Sequence, residues 1–110
     1  MKARYIQRGD SIDYTPETDV AAGDIIVLRD LIGVAKLDIK AGELGALAIV
    51  GVYEFTKGDM AVEIGQQLAV KPDTGEACEP GTSGSVVFGY AVKAAEASDT
   101  TVWIKLEQAL

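Results

Sequence analysis

Gly33–Lys57, GVAKLDIKAGELGALAIVGVYEFTK, has almost no hydrophilic interruption in its second half, and the rest of the chain is built around it. From Ala46 to Phe55 only Glu54 is charged. Taken in alternation, Leu47, Ile49, Gly51, Tyr53 and Phe55 fall on one face of an extended strand, and Ala46, Ala48, Val50, Val52 and Glu54 on the other. Both faces are mainly apolar, which predicts a single strand covered on both sides. A buried helix would give a similar run, but Gly45, Gly51 and the β-branched Ile49, Val50 and Val52 favour the strand. Upstream, Ile39–Glu43 reads as a tight turn in which Gly42 is free to take a positive φ.

That pairing of turn and strand recurs. Val20-Ala-Ala-Gly23-Asp-Ile-Ile-Val-Leu28, Ile39-Lys-Ala-Gly42-Glu-Leu-Gly-Ala-Leu47 and Val62-Glu-Ile-Gly65-Gln-Gln-Leu-Ala-Val70 share one pattern. A branched apolar residue and two spacers lead to Gly, then a polar residue, then an apolar stretch. The physical expectation is a strand end that turns at a left-handed Gly, with the acid or amide bonding the N–H groups of the turn. Copies so short and unevenly spaced do not make a solenoid. They predict an all-β domain, a small barrel or β-clip-like fold of short strands joined by similar corners.

Working outward, Ile25–Arg29 and Ile32–Leu37 flank a turn at Arg29–Leu31. Lys57–Asp59 is a turn, and Gln67–Lys71 is a strand stopped by Pro72. Pro72–Ser85, PDTGEACEPGTSGS, reads as one long loop, mobile or functional because it exceeds ordinary connection lengths. Val86–Ala94 would place Phe88, Tyr90, Val92 and Ala94 on one side. Thr101–Leu106 returns with Val102, Ile104 and Leu106 inward and Trp103 and Lys105 outward. An outward Trp103 makes sense as an oligomer interface, buried against another subunit. The alternative is a register in which Trp103 faces the core.

Residues 1–19 differ from the rest. They are polar and rich in turn formers, and only Arg4–Gln7 and Ser11–Tyr14 have the makings of short strands. They read either as an N-terminal arm ahead of a β domain over 20–110, or as a first strand on the barrel's edge. The net charge is −7, yet residues 1–9 carry Lys2, Arg4 and Arg8 and no acid, while all 17 acids follow. An acidic body argues against non-specific nucleic-acid binding and against anionic membrane surfaces. No apolar run approaches the ~20 residues of a membrane span, and no signal-peptide core follows the first charges, so production in the cytoplasm is expected.

Chemistry is sparse. The chain has no His, which removes Ser-His-Asp and Cys-His nucleophiles and most zinc sites. No phosphate-cradling GxxxxGK[ST] is present, and Gly81-Thr-Ser-Gly84-Ser lacks the spacing of a nucleophile elbow. Cys78 is the lone cysteine, and its neighbours Glu76 and Glu79 are acidic rather than activating. The pairs Asp10/Asp13, Asp73/Glu76 and Glu76/Glu79 lack the glycine placement of a calcium loop. No catalytic, cofactor-binding or metal-binding residue is assigned, and Arg8-Gly9-Asp10 reads as a turn. The composition describes a structural or binding module better than an enzyme.

Several stretches carry a resemblance. They are Met1–Asp10 with Ile12–Thr15, Val20–Asp24, Ile32–Ala35, Asp38–Ala48 leading into Gly51–Tyr53, and Gly89–Ala95 with Asp99–Val102. In this order and spacing they resemble the phage capsid cement proteins, small β-rich head-decoration proteins. The pattern covers residues 1–57 and 86–106, and 58–85 departs from it. The resemblance implies a non-enzymatic protein on the outside of the capsid, partnered by the major capsid protein and by copies of itself as a trimer. It implies an arm that helps grip the shell, whose capsid-binding residues are then Lys2, Arg4, Tyr5 and Arg8. A competing reading is a small-ligand or peptide-binding β-barrel with the 72–85 loop as a lid, which requires a closed apolar pocket. A carboxylate-only glycoside hydrolase requires two acids converging in a cleft.

Overall fold

A computed structural model of the chain describes residues 2–107. Among these residues nine antiparallel strands form two sheets. The first sheet has the order β1-β4-β3-β2, with β1 Ser11–Tyr14, β2 Ile25–Leu28, β3 Leu31–Ala35 and β4 Gly45–Ala48. The second has the order β5-β9-β8-β6-β7, with β5 Gly51–Thr56, β6 Gln67–Val70, β7 Ala77–Cys78, β8 Val86–Ala91 and β9 Thr101–Leu106. The all-β expectation holds, as a pair of sheets rather than a closed barrel. The second sheet curls until its ends touch at one point, where Lys57, just past β5, bridges Ala77 of β7.

The expected single strand from Ala46 to Phe55 is instead two. The chain breaks at Ile49–Val50, and Gly51 takes φ 120°, so β4 closes the first sheet while β5 opens the second. Alternation could not reveal the break, because both pieces are apolar and Gly51 fits a strand and a bend equally well. The two-sided cover expected for this run fails as well: Val50 and Val52 are exposed.

The glycine corners behave as expected. Gly23, Gly42 and Gly65 all have positive φ, near 80–90°. Ala21 N–H donates to Asp24 Oδ2 (3.0 Å) and Glu63 N–H to Gln66 Oε1 (3.0 Å), so the polar residue after Gly caps its own turn. At the second corner the cap comes from elsewhere: Ala41 N–H donates to Asp19 Oδ1 (2.9 Å). The leading apolar residues are buried, and Val20 and Ile39 bond each other through both backbone groups (2.8 Å each way).

Val62 makes the same reciprocal pair with Ala95, which exposes a fourth corner, Ala95–Asp99. There Glu96 N–H donates to Asp99 Oδ2 (2.8 Å). Ser98 stands where the others have Gly and keeps a negative φ, so a search for glycine passes it by.

These corners are the visible part of a larger repeat. The unit β1-β2-β3-β4 recurs as β5-β6-β8-β9 with the same sheet order and pairings. Asp13↔Ala46 is matched by Phe55↔Val102, and Ile26↔Gly33 by Leu68↔Gly89. Gly23 N–H to Ala35 O (2.7 Å) is matched by Gly65 N–H to Ala91 O (2.8 Å). The second unit differs mainly between its second and third strands. It has Lys71–Ser85 where the first has only Arg29–Asp30, and that insertion supplies β7.

β7 corrects the reading of Pro72–Ser85 as one loop. Ala77 and Cys78 are buried and pair with Val70 and Ala69, which pins the segment's middle to β6. The main core lies inside the second sheet, around Phe55, Leu68, Val70, Phe88, Ile104 and Leu106, and Ile32 and Val34 of the first sheet close it. A smaller cluster, Val20, Ala35, Ile39 and Leu47, lies on the first sheet's other side. Phe88 and Tyr90 do not share a face: a bulge between Leu68 and Ala69 sends Phe88 into the core and leaves Tyr90 41% exposed.

Candidate functional site: an outward sheet face and a basic arm

The carboxylate pairs singled out in the sequence do not converge. Asp10 forms an exposed ion pair with Arg8 (3.5 Å), Glu76 pairs with Lys71 (3.5 Å), and Asp13, Asp73 and Glu79 are solvated. Among the described residues no group of three or more Cys, Asp or Glu could hold a metal ion. Concavities among the described residues include surface clefts of about 220–400 Å³. Cys78 lies buried in β7.

What the surface offers is an apolar face with one organised feature. On the outer side of the second sheet, Val52, Tyr90, Val92 and Trp103 are all exposed. Strand alternation explains Trp103: Val102, Ile104 and Leu106 on either side of it are fully buried, so it and Lys105 must point out. The outward register is therefore the one adopted, and Trp103 is 46% exposed.

The ring is held in place by its neighbours. Glu54 lies directly across on β5, and its Oε2 accepts from Trp103 Nε1 (3.1 Å) and from Thr101 Oγ1 (3.2 Å). Lys93 Nζ sits 4.6 Å from the ring centroid, a cation–π contact worth roughly 0.5–1 kcal/mol at an exposed site. An aromatic fixed on several sides, with apolar neighbours, can bury area in a complex at little entropic cost.

Lys2, Arg4 and Tyr5 are exposed, and among the described residues none of them makes a hydrogen bond or ion pair. Arg4–Gln7 forms no strand, whereas Ser11–Tyr14 does, as the edge strand β1. Tyr5 and Ile6 are 77% and 71% exposed.

Sequence reasoning missed Glu54 and Lys93 as Trp103's partners, because the β5–β9 pairing that joins them is non-local. It also missed Lys57, which is only 6% exposed. Its Nζ donates to the carbonyls of Met60 (2.7 Å), Glu96 (2.8 Å) and Gly58 (3.2 Å), tying the turn after β5 to the fourth corner. No sequence signal marks it, since a lysine beside a glycine is an ordinary surface turn.

A family model described as phage cement protein matches residues 6–106, including the 58–85 stretch that the sequence resemblance did not reach. No curated protein and no solved structure matches the chain. With the match running over nearly the whole length, the chain belongs to the phage cement protein family.

Proposed function

We propose that this protein binds the outside of a phage capsid and stabilises the shell, acting as a many-copy brace with no bond-making step. The observation that carries the reading is the family match over residues 6–106. The surface supports it. The exposed apolar face around Trp103 suits contact between copies in a trimer, and the exposed basic segment with Lys2, Arg4, Tyr5 and Arg8 suits contact on the assembled head. A basic arm on an acidic body orients docking on a surface of mixed charge. Symmetry-related copies on one lattice turn weak single contacts into durable attachment through effective concentration. The major capsid protein is the proposed partner and the virion exterior the proposed location.

The test uses purified heads that lack this protein. Added protein is expected to co-sediment with them and to raise the temperature at which they lose their genome. Protein lacking residues 1–9 is expected to keep its fold and to fail to attach. Heads that neither bind the full chain nor gain stability from it would end the reading.

A further inference from the structure

The two sheet edges that end in β2 and β5 border one acidic groove. It has a volume of about 390 Å³, and its walls include Asp24, Ile25, Ile26, Glu54, Asp73 and Gly75, with three carboxylates and no basic residue in its lining. One wall is the Pro72–Gly75 turn, which packs on Ile25. β2 is the last strand of its sheet. Ala35 N–H donates to Asp24 O (2.9 Å), which fixes the ladder's phase, so the backbone groups of Ile25 and Val27 point away from β3 toward the open side. The duplication shows what such an edge takes. In the second unit the equivalent edge, that of β6, is covered by the short antiparallel strand β7. In the first unit no strand among the described residues covers it.

We propose that the N-terminal segment Ala3–Arg8 of one copy adds as a strand to the bare β2 edge of a second copy, in this acidic groove. The segment lies in the one acid-free stretch of the sequence that carries more than one base, it forms no strand, and it leaves Tyr5 and Ile6 in solvent. In strand alternation Arg4, Ile6 and Arg8 share one face, so two cations flanking an apolar side chain meet Asp24, Glu54 and Asp73 beside Ile25. Tyr5 then faces away from the groove and Lys2 runs past its end, so in this arrangement contact with the head falls to Lys2 and Tyr5, while Arg4 and Arg8 serve the contact between copies. The sheet order puts β1, from which the arm leaves, at the edge opposite β2. That separation favours exchange between copies over closure within one. The Arg8–Asp10 ion pair is exposed on both sides and is weak enough to be exchanged. An exchange that runs head to tail closes into a ring when its rotation allows.

The test needs no capsid, so it stands or falls separately from the head-binding reading. Full-length chains are compared by sedimentation equilibrium. Arg8→Glu and Asp73→Arg are each expected to weaken self-association about tenfold. The chain carrying both changes is expected to recover, because the exchanged charges meet again. As a second measurement, full-length Ile6→Cys is mixed with full-length Thr74→Cys under mild oxidation; a mixed disulfide should outpace either homodimer, with Cys78 protected by burial. A strictly monomeric protein, a doubly changed chain that fails to recover, or a mixed disulfide that forms no faster than the homodimers would each overturn the proposal.

Discussion

Replacing Lys57 by Met keeps the side chain's length and removes its charge, which isolates what the ammonium does. All three of its donors are used, on the carbonyls of Met60, Glu96 and Gly58, and it lies within ion-pair distance of no carboxylate among the described residues. Hydrogen bonds from a charged donor contribute roughly 1.5–3 kcal/mol each, and a buried carbonyl left without a partner costs about 1–3 kcal/mol. Two effects offset the loss. The ammonium no longer has to be desolvated, which itself costs several kcal/mol. Water can also reach Gly58, which is only half-buried. The expected net is a destabilisation of about 2–3 kcal/mol. For a domain of this size that lowers Tm by roughly 10–15 °C, by the usual ratio of free energy to unfolding entropy. Denaturant melts of both proteins give the number directly. Because the partners are neutral carbonyls, the difference should persist in high salt. A variant within about 0.5 kcal/mol of the parent would show that the turn after β5 and the fourth corner do not depend on this tie.

Gly89→Ala should be among the most damaging single changes, costing about 3 kcal/mol or more, because a Cβ there runs into the Lys105 carbonyl of the neighbouring strand; calorimetry that finds little change would contradict the close approach of β8 and β9. Arg29→Gly should stabilise by up to about 1 kcal/mol, since Arg29 is the one non-glycine residue with positive φ (58°) among the described residues, and an unchanged or lowered Tm would argue against strain in that turn. Glu54→Ile with Trp103→Leu transplants the pair Ile12 and Leu47 from the first unit onto the second sheet's outer face. It should leave monomer stability within about 1 kcal/mol while changing self-association, and association that stays the same in sedimentation would remove Trp103 from the subunit contact.

The corners were legible in sequence because their physics is local. A left-handed glycine followed by a side chain that bonds its own turn occupies a handful of adjacent residues, and Gly23, Gly42 and Gly65 all adopt the backbone expected of them. The β9 alternation was legible for the same reason. The break at Ile49–Val50 was not, because nothing in an apolar run states which sheet each half joins. Nor was the bulge at Phe88, which depends on how β8 meets β6. The arm's basic character could be read directly. The acidic groove could not, since Asp24, Glu54 and Asp73 come from three separate segments that only the fold brings together.

The duplication gives these features a common logic. The two units share corners, connectivity and the crowded third-strand glycines Gly33 and Gly89, neither of which has room for a Cβ. What the two copies share is therefore what the fold requires. Where they differ, the fold left the residue free. Leu47 is fully buried, and Ile12 and Tyr14 pack against its cluster; the equivalent Trp103 is exposed, with Glu54 and Thr56 in the matching places. Among the described residues the first unit's β2 edge is bare, and the second's β6 edge is covered by an insertion. The largest departures between the units fall on one sheet face and one sheet edge. Both are surfaces that a solitary subunit leaves unused and that an assembly of many copies would fill.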